Sequence, residues 1–415
     1  MTKKKPYPSN VYLQYLVKYC FVLVVATSCL GWLSCSQNPS SNHSHEHHKS
    51  ADGGDVPKQI VNGSLDAPFT TKGIVLVNSV DDKKSGWKAK FFRHGAYHCG
   101  VKGSQTFLVL NPPGKDWKEP LPLWMSLHGG GLAAFNKSGE YIPVSLKNSK
   151  LMNETSSDLL LRRFVHGAGA DDWKTPGSSW PPKGGINAHI VASGKFRILL
   201  PSMCDNDVYS GVGTPDPNNP NQPAGQKPMV DGLLAIRAAL QYVRDNFPIS
   251  KTFLRGCSAG SVGVLTLVHR LSREKEKIAG VIADSAVISD YWRTIYDFSK
   301  QGNTCFSWHV SEPSFHDTRV GPYMLSKNRI ENNMDKILSP LYLVWSTGDV
   351  AFCGKPHTAK VFEAVHNAVK KHNPGGASVA REVCTDKNCS RHCPTNQDSP
   401  LNKEIFDWVL KRLAR

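Results

Sequence analysis

The sequence predicts an α/β fold in which a mostly parallel central sheet is covered by helices on both faces. Three observations predict it. Short apolar segments recur along the chain, at Trp87–Phe92, Gln105–Leu110, Leu121–Leu127, Phe196–Pro201, Thr252–Leu254, Ala279–Ala283, Leu341–Trp345 and Ala377–Val383. Segments with apolar residues at helical spacing fall among the later ones: Asp231–Arg244 (Leu233, Ile236, Leu240, Val243), Ser261–Leu271 (Val264, Leu267, Val268, Leu271) and Asn402–Leu413. No second linker divides the chain after Ile60, so one domain spanning 58–415 is expected. Strands that alternate with helices need crossover connections, which make neighbouring strands parallel and bury both faces of the sheet.

The first 57 residues read differently. Lys3, Lys4, Lys5 and Lys18 precede an uncharged stretch, Tyr19–Leu33, that is short for a membrane span. Residues 1–35 therefore read as a signal peptide. Small residues lead into Cys29 and Cys35, and either cysteine is a candidate for lipidation, which would attach the mature protein to a membrane. Residues 36–57 are rich in Ser, Asn, Gly and His, with His43, His45, His47 and His48, and are expected to form a flexible tether.

Composition narrows the function. The charge is +16, with 50 basic against 34 acidic residues. Such an excess suits an acidic glycan or an anionic surface. The basic residues are scattered rather than gathered in one arm, so no nucleic-acid partner is expected. Of eleven cysteines, eight lie beyond the leader: Cys99, Cys204, Cys257, Cys305, Cys353, Cys384, Cys389 and Cys393. An even set in an exported chain points to disulfides of unknown pairing. Cys389, His392 and Cys393 lack a second ligand pair at zinc-site spacing, so neither metal nor cofactor is expected.

The chemistry centres on Gly256-Cys257-Ser258-Ala259-Gly260, a Gly-x-Ser-x-Gly set between an apolar strand and an amphipathic helix. Strand, tight turn and helix are the context of a nucleophile elbow, and predict an α/β-hydrolase-like arrangement with Ser258 as nucleophile. His128-Gly129-Gly130-Gly131 follows the strongest strand. Bare backbone N–H groups there, at Gly130 or Gly131, together with that of Ala259 after the serine, would form an oxyanion hole. A serine needs a base, and the base a carboxylate. In this arrangement they follow in the order acid, then histidine. Asp349, after Leu341–Trp345, and His392, after the last strand, fit that order. Asp284 is a rival acid, and His357, His366 and His372 are rival bases. Residues 132–195 look irregular and are expected to form a lid or substrate wall, and 291–335 look helical and irregular.

Several stretches resemble the pectin acetylesterase and Notum-like carboxylesterase family. Gly256-Cys257-Ser258-Ala259-Gly260 is similar to the plant members' nucleophile segment. Cys204-Asp205-Asn206-Asp207-Val208-Tyr209-Ser210-Gly211, Ala283-Asp284-Ser285, Cys389-Ser390-Arg391-His392-Cys393 and Phe406-Asp407-Trp408 match further family segments in the family's order. The chain departs where members continue the glycine run with Trp and Cys, having Gly131-Leu132-Ala133 instead. The resemblance implies an exported monomeric serine carboxylesterase that removes acetyl groups from a polysaccharide such as pectin. It implies Ser258, Asp349 and His392 as the triad, with Asp207, Tyr209 and Asp284 near the substrate. Alternatives are a surface binding protein that keeps the fold without turnover, and a depolymerase or lipid esterase of the same fold. Residence would be secreted, periplasmic or at the cell surface.

Overall fold

A computed structural model describes residues 64–100, 103–130, 133–135, 137–143, 156–166, 180, 182, 184–221, 229–285, 332–346, 349, 355–373, 378–383 and 392–415. All of them belong to one unit, Asp55–Arg415. The expected leader and tether, Gly131, most of 291–335, and Cys305, Cys353, Cys384 and Cys389 lie outside the described residues.

Nine strands form the main sheet: β1 (Val75–Asp81), β2 (Lys88–His98), β3 (Ser104–Asn111), β4 (Leu121–Leu127), β5 (Arg197–Pro201), β6 (Ile249–Cys257), β7 (Gly280–Asp284), β8 (Leu341–Ser346) and β9 (Val379–Val383). Their spatial order is β1-β2-β3-β5-β4-β6-β7-β8-β9. The pairs β1/β2, β2/β3 and β3/β5 are antiparallel; every later pair is parallel. The chain moves from β4 to β5 on one side and then to β6 on the other. This reversal is a topological switch point, and it opens a crevice at the C-terminal ends of the strands. The order, with a strand-turn-helix elbow after β6, is the α/β-hydrolase arrangement.

The period-2 alternation of strand side chains builds two cores. Leu123, Met125 and Leu127 of β4, with Val281 and Ala283 of β7 and Leu341 and Leu343 of β8, share one cluster. Helices α3 (Gly232–Asn246), α4 (Ala259–Arg273) and α5 (Lys355–His372) cover that face through residues such as Ile236, Leu267 and Val365. Trp124, Ile282, Tyr342 and Val344 point the other way. They pack beneath α1 (Ser157–His166), α2 (Gly185–Ser193) and α6 (Pro400–Leu413) through Leu160, Ile190 and Ile405.

The helices α1 and α2 correct the expectation that 132–195 is irregular. Leu160, Phe164, Ile186 and Ile190 are buried against the sheet. The flanking prolines and Trp173–Trp180 obscured two short elements, of which α2 is apolar on all sides and so shows little periodicity. It stops at Gly194, whose φ of 59° suits a left-handed C-cap. The edge strand β1 is a second addition, exposed along its whole length. Among the described residues no helix is long and apolar enough to cross a membrane.

His94 sits in the core at 2% exposure, between the rings of Tyr97 (5.5 Å) and Phe107 (5.3 Å). Its Nδ1 has no hydrogen-bond partner, and burial pushes its pKa down to about 3. The unfolded chain therefore binds a proton that the folded protein refuses between the ordinary value of 6.5 and about 3. The resulting stability is complete above 6.5 and is lost as pH falls through this window, at up to about 1.4 kcal/mol per pH unit. Urea unfolding of His94→Phe against the parent across this range is expected to show a shallower decline in the variant.

Candidate active site

The elbow is built from close backbone contacts. Ser258 follows β6 and precedes α4, with φ 52° and ψ −118°. A non-glycine residue holds such a conformation only when its surroundings impose it. Two glycines let those surroundings close in. A Cβ on Gly256 would collide with the Gly260 carbonyl, and one on Gly260 would collide with the Leu127 carbonyl of β4. The Ser258 N–H donates to the Asp284 carbonyl at the end of β7 (3.0 Å). The Ser258 carbonyl accepts from the Ser261 N–H (2.8 Å) and hydroxyl (2.6 Å). Cys257 and Ala259 are buried, whereas Ser258 itself is half-buried.

Beside the serine lies the glycine run that follows β4. A Cβ on Gly129 would stand 3.2 Å from the Ser258 Cβ and 3.1 Å from the Cys257 carbonyl, a contact tight enough that a side chain there would press on the elbow. Gly130 is half-buried next to it, and Gly131 lies outside the described residues. Ala259 opens α4, where an N–H has no helical acceptor and the helix end is electropositive. His128 Nδ1 donates to the Gly129 carbonyl (2.6 Å), and its ring packs against Tyr209 (5.8 Å).

The structure brings Asp349 and His392 together. Asp349, beyond the end of β8, is fully buried and anchors its N–H on the Ser346 carbonyl (3.2 Å). Its Oδ2 lies 2.7 Å from His392 Nδ1. A hydrogen bond there places the proton on Nδ1 and leaves Nε2 as the acceptor nitrogen. The His392 side chain keeps 29% exposure, against 0% for Asp349. A disulfide joins Cys257 to Cys393 with a Cα–Cα distance of 5.7 Å. It links the residue before Ser258 to the residue after His392, across a separation of 136 positions. A second disulfide joins Cys99 to Cys204, at the ends of β2 and β5.

Asp284 does not contact His392 Nδ1, which Asp349 occupies. Of the rival histidines, His366 and His372 lie on α5, and the side chain of His357 lies outside the described residues. Asp207, Tyr209 and Asp284, expected near the substrate, are all fully buried. The Asp207 carboxylate accepts from the N–H groups of Tyr209 (3.0 Å), Gly211 (2.7 Å) and Gly232 (2.9 Å). It ties a loop in which Asn206, Val208 and Tyr209 all have positive φ. Tyr209 packs so closely on α4 that a Cβ on Gly263 would lie 2.8 Å from its Cβ. The Asp284 carboxylate accepts from the Thr395 N–H (2.8 Å) and hydroxyl. Burial pushes its pKa up, while Arg255 and the Thr395 hydrogen bonds pull it down. Polar residues after a strand look alike in sequence whether they serve a ligand or satisfy a turn. Nothing local in the sequence marks Arg255 or Thr395, and Ser285 stands out only within the Ala283-Asp284-Ser285 segment. Among the described residues no group of three His, Cys, Asp or Glu could hold a metal.

No family model and no curated protein sequence matches the chain. Solved structures that it is similar to include a putative dipeptidyl aminopeptidase IV from Bacteroides ovatus (10% identity, TM-score 0.43), with 80% of this chain covered and 36% of that one. The chain thus spans about a third of that protein's length. Others are an S-formylglutathione hydrolase from Agrobacterium tumefaciens (12% identity, 81% and 99% covered, TM-score 0.44) and an acetyl xylan esterase from Paenibacillus sp. R4 (11% identity, 84% and 90% covered, TM-score 0.44).

The glycine contacts yield a stability prediction. Gly260→Ala pushes a methyl group into the carbonyl of a central strand, an overpacking expected to cost about 3 kcal/mol or more. Its urea midpoint should fall well below that of the parent.

Proposed function

We propose that the protein is an exported serine esterase that removes O-acetyl groups from a polysaccharide, pectin being the substrate that best fits the resemblance and the charge. One observation carries this reading. A serine on a strained elbow is stapled, through the residue before it, to the residue after a histidine that hydrogen-bonds a buried aspartate.

In this reading His392 Nε2 takes the Ser258 hydroxyl proton as Oγ attacks the ester carbonyl. Asp349 holds the tautomer and stabilises the imidazolium that forms. The N–H groups of Ala259 and Gly130 receive the oxyanion, with Gly131 the other candidate donor. One such donor is typically worth about 10²–10³ in kcat. The imidazolium then gives its proton to the leaving sugar oxygen. Water, deprotonated by the same histidine, attacks the acyl-enzyme, releases acetate and restores the serine. Two disulfides and the leader-like N-terminus support an exported enzyme.

Two outcomes test the reading. Ser258→Ala is expected to lose p-nitrophenyl acetate turnover by about 10⁴-fold or more and to escape fluorophosphonate labelling, and Asp349→Asn to lose about 10⁴-fold in kcat. Retained labelling of the alanine variant at the elbow would exclude the mechanism. In a panel of acetylated pectin, acetylated xylan, lipid esters and peptides, acetate release should be fastest from pectin. Its kcat/KM should fall as salt screens the enzyme's basic surface from the acidic glycan, while that on neutral xylan stays level.

A further inference from the structure

We propose that Asp284 is a positioning residue that keeps the base in register with the nucleophile, an inference that rests on the acylating serine described above. Asp284 ends β7, between the elbow strand β6 and the strand β8 that leads to Asp349. Its two halves grip opposite partners. The main-chain carbonyl accepts the Ser258 N–H (3.0 Å), and the carboxylate accepts the N–H (2.8 Å) and hydroxyl of Thr395, three residues beyond His392.

Ser285 extends the junction. Its hydroxyl accepts the Cys393 N–H (2.9 Å) and its N–H donates to the Val344 carbonyl of β8 (2.7 Å). Arg255, at 2% exposure, donates to the Thr395 hydroxyl (2.9 Å) and to Asn396 Oδ1, and supplies the counter-charge. The residues Asp284 and Ser285 therefore bond the elbow, the histidine turn and the acid strand at once.

The disulfide alone does not do this. A single covalent link fixes a separation but leaves the turn free to pivot about its own bonds. Hydrogen bonds at positions 393 and 395 remove that freedom on the side of the ring. Two donors from Thr395 converge on one Asp284 oxygen, which accepts both through its two lone pairs. The carboxylate is sealed from solvent, and Asp349 holds the imidazole.

The test is the pH profile of fluorophosphonate labelling at Ser258, normalised to folded protein, for the parent, Asp284→Ala, Asp284→Asn and Thr395→Val. A base displaced by about 1 Å costs on the order of 100-fold. Asp284→Ala is expected to lose that much, and its rate should climb with hydroxide instead of reaching the plateau of a histidine-assisted reaction. Asp284→Asn keeps one acceptor oxygen and should recover to within about tenfold of the parent, roughly one hydrogen bond's worth. Thr395→Val should show the same change of profile with about a tenfold loss. Instability alone would reduce the folded fraction without altering the profile. Labelling of Asp284→Ala within about threefold of the parent, with the parent's profile, would overturn the positioning role and leave the esterase reading standing. If Asp284→Ala does not fold, a parental rate and profile for Thr395→Val would overturn it equally. A parent that is not labelled would overturn both.

Discussion

Everything at the site depends on how closely three backbone segments approach one another. The turn after β6 passes so near the end of β4 and the start of α4 that no side chain fits at Gly256 or Gly260. Compression of this kind holds Ser258 at a φ of 52°, a conformation that costs about 1–3 kcal/mol for a residue with a Cβ. The offset comes from α4. Val264, Leu267, Val268 and Leu271 are completely buried, and each such side chain contributes about 1.5–3 kcal/mol. The helix cannot leave the sheet without losing that burial, so the strained turn persists.

A parallel sheet then gathers the remaining groups. Strands that run the same way end at the same edge, where the C-terminal end of β7 supplies Asp284 and the connections after β4, β6 and β8 supply Gly129, Ser258 and Asp349. The turn carrying His392 follows β9 and returns to this edge. Its attachment is both covalent and polar. The Cys257–Cys393 link closes a loop of more than a hundred residues, a constraint on the unfolded chain worth on the order of 5 kcal/mol in the chain-entropy account. Hydrogen bonds to Asp284 and Ser285 set the orientation that a covalent link alone leaves open.

Buried charge at this edge has a structural use. Asp207 satisfies three backbone N–H groups in and beside a loop with three positive φ values, and Asp205 does similar work for Gly100 (2.7 Å) and Asp231 (2.7 Å). Carboxylates suit such turns because they accept several hydrogen bonds at once and donate none. The loop in turn supports Tyr209 against His128, next to the glycine run. Residues that look like ligand groups are thus part of the wall that holds the glycine loop in place.

Local chemistry made much of the fold legible in the amino-acid order. Apolar segments such as Leu121–Leu127 announce strands buried on both faces. The spacing of Val264, Leu267, Val268 and Leu271 announces a helix, and glycines two places either side of Ser258 announce a turn that tolerates no Cβ. Each is a property of a short window, which is why each can be read there. By contrast α1, α2 and β1 carry weak local periodicity and exist because the sheet offers them a surface. Which cysteines pair, that His392 meets Asp349 rather than Asp284, and that Asp207, Tyr209 and Asp284 face inward depend on contacts between residues far apart in the chain. Those contacts are set by the packing of whole strands and helices, and no local pattern records which partner a side chain will find.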